Sequence, residues 1–423
     1  MRILFLVHRL PFPPNKGDKI RSFWELQSLS ARHEVDLFCF YDDPSDEQYI
    51  GELNRYCRRS YVEKIRIFRS RTRAMAAALS GRPFSLGFFY SPSMKQRIEE
   101  ALKSQTYDLI LVFSSQMAQY VESVTSIPRI IDMVDVDSNK WEQYAEHTLP
   151  PSSWLWKREG RNLAKFEKRI VAEFSLTLIC TEGEANILRD RCASSRIYSL
   201  SHPIDIEYYD PAPVGVSEEI AALQPFIIFT GSMDYFPNVD AVLQFYSKVF
   251  PLIHRQLPDL HFVIAGRNPK NSIIRLAQDP AVRVTGSILD MRPYLRGASA
   301  AVVPLRIARG LQNKIIEAMA MGVPVAASSM TASALPPSLS SLLVVEDDPQ
   351  RLANRIVELV SKGSAVSAKA LRKCVALEFG RERLEKELED ALVRAQELHS
   401  NRGQKPERRG TEESPLLAKC GPN

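Results

Sequence analysis

The chain has 423 residues, 45% hydrophobic and 25% charged, a composition typical of globular proteins. At about 150 residues per domain, this length predicts two or three domains. The 55 Lys and Arg exceed the 50 Asp and Glu by only five, which excludes a nucleic-acid signature unless the positive charge is concentrated locally.

Membrane-spanning and secretory segments are not predicted. The longest apolar runs are about five residues, far short of the roughly 20 needed to cross a bilayer, and residues 3–7 are too few for a signal peptide. The six cysteines form no C-x-x-C pair, which favours reduced structural thiols. We therefore expect a cytoplasmic protein.

Short β-branched runs alternate with helical segments, the pattern of a parallel α/β sheet, and this pattern occurs twice. The first series of predicted strands covers 2–7, 34–40, 61–68, 108–113, 129–134, 176–180 and 196–200. The second series covers 226–231, 260–266, 282–286, 300–305, 323–328 and 341–345.

The boundary between the two series is residues 201–214, which contain three prolines and no periodicity. The sequence therefore predicts an α/β protein with two Rossmann-like domains, 1–203 and 204–365. Residues 366–400 are predicted to be helical, and residues 401–423 to be a disordered tail because they are polar and contain Pro and Gly.

A ligand site is predicted where residues 304–327 run from a strand end through a loop into a helix. In parallel sheets, ligands bind at the carboxyl ends of strands, where helix N-termini favour anions. A helix starting near Gln312 or Asn313 would place the amides of residues 310–313 and the Lys314 ammonium around an anion. Glu317, one turn on, could reach a diol; alternatively it is a solvated carboxylate on a core helix.

Residues 317–325 read Glu-Ala-Met-Ala-x-Gly-x-Pro-Val. This stretch resembles the donor-site signature of the retaining glycosyltransferases of family 4, whose GT-B fold has two Rossmann-like domains facing across a cleft. The resemblance implies that Glu317 binds the ribose of a nucleotide-sugar donor. It also implies that the C-terminal domain binds the donor, that the N-terminal domain faces the acceptor, and that residues 366–400 pack back on the N-terminal domain.

The resemblance extends over roughly residues 1–380. Residues 230–242, with Gly231, are similar to the first turn of the donor domain, and 264–269 to the second. Residues 8–21 resemble the loop over the donor phosphates and sugar, with Gly17 at the close approach. Together with 130–141, this loop resembles the exosortase/PEP-CTERM-associated sugar transferases of exopolysaccharide clusters, which implies a role in exopolysaccharide or cell-surface polysaccharide biosynthesis.

The chain also departs from the family pattern. Family members commonly carry two glutamates with seven residues between them, and Arg309 stands eight positions before Glu317, where the first would fall. The usual Arg and Lys of the first donor-domain turn are missing. We hypothesise that Lys314, Arg309 and Arg267, together with Gly310 and Asn313, neutralise the diphosphate. The resemblance implies that no metal or other cofactor is required.

Asp135 follows the fifth strand, where the family often has a histidine that points at the sugar. Asp135 is our candidate catalytic residue besides Glu317, as a base or a hydroxyl clamp; alternatively it caps a helix that begins near Ser138. His8 ends the first strand and is either ligand-facing or buried. His202 in the hinge is expected to be structural.

Residues 55–73 carry eight Lys and Arg against one Glu, a net charge of +7. This basic cluster suits an anionic membrane surface and hence a lipid-diphosphate-linked acceptor; the alternatives are a solvated face and, without a supporting motif, a nucleic-acid patch. The apolar stripe Leu155, Leu163, Phe166, Ile170 and Phe174 is expected to be core.

The sequence is compatible with two function classes and disfavours two others. The first is a glycosyltransferase that transfers sugar to a glycan or lipid-linked acceptor. The second is a non-catalytic or regulatory GT-B scaffold that binds donor only. An NAD-dependent oxidoreductase would need G-x-G-x-x-G after a strand, which no turn supplies, and a sugar epimerase on the same fold is the fourth.

Overall fold

The computed structural model describes residues 1–14, 17–146, 148–201, 203–308 and 310–403. Its strands form a seven-stranded sheet of order β3-β2-β1-β4-β5-β6-β7 and a six-stranded sheet of order β10-β9-β8-β11-β12-β13. The strands are β1 Arg2–Val7, β2 Glu34–Tyr41, β3 Arg59–Lys64, β4 Leu109–Phe113, β5 Arg129–Asp132, β6 Leu176–Ile179, β7 Ile197–Ser199, β8 Phe226–Thr230, β9 His261–Ala265, β10 Val282–Gly286, β11 Ala300–Val303, β12 Val325–Ala327 and β13 Val344–Val345.

Helices cover both faces of each sheet. They are α1 Gly17–Ser30, α2 Ile67–Leu79, α3 Phe84–Phe88, α4 Pro92–Ser104, α5 Asp137–Glu146, α6 Ser152–Glu173, α7 Glu182–Cys192, α8 Glu218–Ala221, α9 Phe236–Lys248, α10 Phe250–His254, α11 Asn271–Ile274, α12 Arg292–Gly297, α13 Asn313–Ala320, α14 Ser329–Ala332, α15 Pro337–Ser340, α16 Pro349–Lys362, α17 Ala368–Phe379 and α18 Arg381–Gly403. Short 3₁₀ segments occupy Pro44–Arg55, Ser115–Tyr120 and Arg275–Gln278.

Every strand pair is parallel, which confirms the α/β prediction. Central strands such as β4 and β8 are buried along their whole length, because crossover helices cover both faces of a parallel sheet. In each sheet the strand order reverses beside the first strand, between β1 and β4 and between β8 and β11. Ligand crevices form at the carboxyl ends of the strands at such points.

Three elements differ from the sequence-based prediction. The predicted strand 61–68 is wrong at its end, because β3 stops at Lys64 and α2 begins at Ile67. The C-terminal helical region is broken at Gly380 into α17 and α18, and α18 continues to Gly403. The predicted core stripe of α6 is correct except at Leu155, which is exposed at the start of the helix. The rest of the predicted tail, 404–423, lies outside the described residues.

The last helix returns to the first sheet. The His33 ring lies 3.1 Å from a Glu389 carboxylate oxygen, and the Arg394 guanidinium lies 4.2 Å from the centre of the Tyr198 ring. The preceding helix, α17, packs on α13 of the second domain. Together, α17 and α18 bridge the two halves of the chain. Among the described residues, no helix has the length and apolarity to cross a membrane.

Candidate functional site

The anion-binding loop predicted at 304–327 lies at the carboxyl end of β11. Helix α13 begins at Asn313, as predicted, and Gln312 precedes it in extended conformation without a side-chain cap on the helix amides. The first N–H groups of a helix have no intrahelical acceptor and carry a partial positive charge. Gly310 and Asn313 therefore lie where an anion would meet this end of α13.

Lys314 points from the first turn of α13 toward the β8 turn. Its Nζ donates to the Asn238 Oδ1 at 2.6 Å and lies 4.5 Å from the centre of the Phe229 ring. Among the described residues, no carboxylate oxygen forms an ion pair with it. Burial lowers the pKa of Lys314 to about 7, although the nearby Glu317 charge acts in the opposite direction. The site thus holds a partly desolvated ammonium with no counter-ion in contact.

Glu317 lies one turn further along α13 and is half-buried. Its carboxylate accepts a hydrogen bond from the Tyr209 hydroxyl in the hinge, and burial raises its pKa. The Arg372 guanidinium of α17 fixes this hinge by donating to the carbonyl oxygens of Tyr209, at 2.6 Å, and Ala320, at 2.9 Å. Glu317 is therefore a partly buried carboxylate held by Tyr209, and its binding of a ribose stays a prediction.

The turn after β8 brings the backbone close to this lysine. Gly231 has φ +150°, and a Cβ atom there would lie 2.7 Å from the Asn238 Nδ2 and 3.2 Å from the Lys314 Nζ. Only glycine leaves space for these side chains. Arg267, after β9, is held beside this turn by its Nε, which donates to the Ser232 hydroxyl at 3.4 Å, and by its carbonyl, which accepts from the Met233 amide at 2.8 Å.

Asp135 reaches the same place from the N-terminal domain. A Cβ atom on Gly310, whose φ is +60°, would lie only 2.0 Å from the Asp135 Oδ1. The two domains therefore meet at Asp135 and Gly310, at the carboxyl ends of both sheets. Burial, and next the charge of Glu184, raise the pKa of Asp135 to about 7. The Ser138 amide near the start of α5 is capped by the Glu167 Oε1 at 2.9 Å, while the Asp135 carboxylate lies against Gly310.

The backbone that carries Asp135 is unusual. Val134 has φ +65°, a conformation that is rare for a β-branched residue. The turn is held by Asp132, whose Oδ1 accepts from the Val134 amide at 2.8 Å and whose Oδ2 lies 2.6 Å from the Arg21 guanidinium. Both members of this ion pair are fully buried. Backbone strain of this kind persists when surrounding contacts hold it, and it occurs preferentially at functional sites.

The other predicted site residues are less informative. His8 is buried, stacks on Phe113 at 5.8 Å and lies 3.3 Å from the Asp18 carboxylate, which fits the buried alternative. Gly17 opens α1 with free space around it, so its approach to a donor stays a prediction. Arg309 and His202 lie outside the described residues.

Sequence reasoning missed three positioning contacts. These are Asn238 at Lys314, Arg372 at the hinge carbonyls, and the Arg21–Asp132 ion pair beneath Asp135. Asn238 lies in residues 230–242, which were recognised as a donor-domain turn, so its region was visible although its role was not. No signal in the sequence linked Arg21 to Asp132, which is 111 residues away.

Two parallel α/β domains that meet at the carboxyl ends of their strands define the GT-B fold. Similar solved structures agree with this assignment. Sucrose-phosphate synthase from Thermosynechococcus elongatus shows 18% identity and a TM-score of 0.66 and covers 92% of this chain and 98% of that one. Anabaena Alr3699/HepE in complex with UDP-glucose shows 14% identity and a TM-score of 0.63, and the match covers 93% of this chain and 99% of that one.

Residues 224–362, which include the β8 turn and α13, match the family described as "Glycosyl transferases group 1". A Klebsiella pneumoniae protein described as "Uncharacterized 44.6 kDa protein in cps region" is 21% identical over 372 residues, covering 84% of this chain and 90% of that protein. The family match and the fold together support a glycosyltransferase.

Proposed function

We propose that the protein is a retaining glycosyltransferase of family 4. It moves a sugar from a nucleoside-diphosphate sugar to a glycan or a lipid-diphosphate-linked acceptor during exopolysaccharide or cell-surface polysaccharide synthesis. The observation that carries this proposal is the Lys314 ammonium at the N-terminus of α13, which lies in the cleft that Asp135 enters from the opposite domain and has no counter-ion in contact among the residues that the structure describes. A diphosphate supplies the missing negative charge.

The donor is bound by groups of the C-terminal domain. Glu317 accepts hydrogen bonds from the ribose hydroxyls, with Tyr209 fixing the carboxylate on its other side. The amides from Gly310 to Asn313 and the Lys314 ammonium bind the diphosphate, and Arg267 approaches it from the β9 turn. These groups replace the missing family arginine and lysine, and no metal ion is required.

The reaction breaks the bond between the anomeric carbon and the diphosphate oxygen, and it forms a bond from the acceptor oxygen to the same face of that carbon. The electron pair of the broken bond leaves with the diphosphate, whose developing charge is stabilised by Lys314 and the α13 N-terminus. The acceptor hydroxyl proton passes to the departing phosphate oxygen or to Asp135. The pKa of Asp135, about 7, suits this acceptor role near neutral pH.

The comparisons supply independent support for this proposal. The similar Anabaena structure was determined with UDP-glucose, so a protein with this fold can bind a nucleotide sugar. The Klebsiella relative is described as encoded in a cps region, which fits a role in surface polysaccharide synthesis.

The proposed activity is tested by incubating the protein with a panel of UDP-, GDP- and ADP-sugars and a pool of glycan and lipid-diphosphate-linked acceptors, and measuring nucleoside diphosphate release, with EDTA and with Mg²⁺. We expect release from one donor class in both conditions, and at least about 100-fold slower release for Asp135→Asn. Asp390→Asn on the exposed face of α18 is the matched control. Donor binding without release in any condition favours the non-catalytic scaffold. An inverted anomeric configuration in the product, read by NMR, contradicts the retaining mechanism.

A further inference from the structure

Helix α2 exposes its apolar side chains. Phe68, Met75 and Leu79 are 81%, 66% and 88% exposed. At 100° per residue, these three positions fall within about 40° of one another on the helix surface. The buried positions of the helix are Ser70 and Ala77, on the opposite side. An apolar stripe aimed at solvent along a whole helix reverses the pattern expected of a helix that packs on a core.

The orientation of α2 is fixed by close packing on its small side chains. A Cβ atom on Gly87 of α3 would lie 2.6 Å from the Arg73 carbonyl oxygen and 2.7 Å from the Ala77 Cβ. The helix cannot turn its stripe inward without losing this contact. Phe68, Met75 and Leu79 therefore stay on the surface of the folded protein.

The exposed apolar surface continues onto α6. The Arg158 guanidinium donates to the carbonyl oxygen of Ala78, so the start of α6 lies beside the end of α2. Trp154 and Leu155 on the first turn of α6 are also exposed, as is Leu149 just before it. Two helices distant in sequence thus contribute to one apolar surface, which we call the α2–α6 face.

Cations without partners flank this face. Within the described part of the chain, Arg66, Arg69 and Arg71 form no ion pair, whereas Arg58 and Lys64 of the same basic cluster pair with Asp36 and Glu47. The uncompensated positive charge of the basic cluster 55–73 therefore lies mainly along α2. Arg66, Arg69 and Arg73 also line a cavity of about 440 Å³, but the buried Ser70 lines it too, so the cavity lies on the side of α2 away from the apolar stripe.

From this placement we propose that the α2–α6 face binds an anionic membrane surface. The apolar side chains enter the interface between headgroups and acyl chains, and the unpaired arginines contact lipid phosphates. The unpaired arginines favour an anionic membrane over a protein partner or a second copy of the chain. Either of those could cover the apolar stripe without a row of unpaired arginines beside it. The proposal does not depend on the proposed glycosyltransferase activity.

The test is co-sedimentation of the full chain with vesicles of phosphatidylcholine alone and with 30% phosphatidylglycerol. We expect binding only to the anionic vesicles, weakened by added salt. Phe68→Ser/Met75→Ser/Leu79→Ser is expected to reduce the partition coefficient at least tenfold. Arg66→Gln/Arg69→Gln/Arg71→Gln is expected to reduce it by about fivefold per arginine.

Matched controls alter equally exposed residues elsewhere. Leu289→Ser/Leu377→Ser/Val393→Ser and Lys248→Gln/Arg255→Gln/Lys369→Gln should retain wild-type partitioning. An unchanged thermal unfolding transition shows that each variant is folded, whether or not the protein binds a nucleotide, so failure of this test and failure of the proposed activity stay distinguishable. The proposal is overturned by equal binding to neutral vesicles, by no binding to either kind, or by retained binding in the stripe variant. A dimer in sedimentation velocity that the stripe variant abolishes would instead assign the face to a second copy of the chain.

Discussion

Replacing Lys314 by Met is expected to stabilise the unliganded protein while removing diphosphate binding. Burial lowers the pKa of this lysine from 10.5 to about 7. At about 1.4 kcal/mol per pKa unit, the folded protein at pH 7 carries a penalty of about 4 kcal/mol at most for holding Lys314 there. Because the group is half-buried and its surroundings relax, we expect Lys314→Met to raise the free energy of unfolding by about 1–3 kcal/mol.

The sign of the pH dependence follows from proton binding. Between pH 7 and 10.5, the unfolded chain keeps a proton on Lys314 that the folded chain increasingly loses, so the penalty falls as pH rises. The advantage of the Met variant should therefore shrink by up to about 2 kcal/mol between pH 7 and pH 9. Below pH 7, Lys314 is protonated in both the folded and the unfolded chain, so the stability advantage of the Met variant should be largest there and should no longer change with the titration of Lys314.

The assay is urea unfolding of the wild type, of Lys314→Met and of the exposed control Lys248→Met, each at pH 7 and pH 9. Calorimetric titration with nucleoside diphosphates follows on the same samples, in buffers of different ionisation enthalpy. We expect the wild type to take up protons on binding, because an adjacent anion raises the pKa of Lys314. A Met variant that is less stable than the wild type at pH 7, or that binds diphosphate equally well, would refute the reasoning.

Three further outcomes are expected. Gly310→Ala should lower kcat/KM by about 100-fold, because the new Cβ atom meets the Asp135 carboxylate. The control is Gly363→Ala, which has a similar φ of +79° but open space around it. This control should lower stability by only about 1 kcal/mol and leave kcat/KM unchanged. The kcat/KM for transfer should rise as pH approaches 7, because Asp135 ionises, and fall above pH 7, because Lys314 loses its proton; a profile without the rising limb would contradict the role of Asp135 as a base. Arg372→Met loses charged hydrogen bonds to the hinge carbonyls of Ile206 and Tyr209 and should reduce the free energy of unfolding by about 2–4 kcal/mol in chemical denaturation. No change would show that these bonds do not hold the hinge.

Much of the fold was predictable because buried parallel strands have a simple signature. Runs such as 109–113 and 226–230 are continuous, apolar and strand-sized, and each is followed by a helical segment. The end of β3 was misplaced because residues 65–68 continue the same alternation of apolar and basic residues. There the boundary depends on tertiary packing, through the docking of α2 on Gly87, and not on local propensity.

The candidate site was predictable in part. The position of α13 and the place of Lys314 and Glu317 on it follow from the strand–loop–helix pattern and the recognised signature. The charge state of these groups was not predictable from the sequence. The pKa of Lys314 depends on its burial beside Phe229 and Asn238, and Asn238 is 76 residues away in sequence. The same limit applies to Asp135, whose contact with Gly310 exists only after the two domains meet.

The central claim, that this cleft binds a nucleotide-sugar donor, is tested most directly by calorimetric titration with UDP, GDP and ADP, with and without Mg²⁺. The proteins to compare are the wild type, Glu317→Gln and the exposed control Glu397→Gln. The account predicts that one nucleotide binds without metal at micromolar affinity, that Glu317→Gln weakens binding by about tenfold or more, and that the control does not. A folded wild type that binds none of the three nucleotides, or equal affinity in Glu317→Gln, would contradict it.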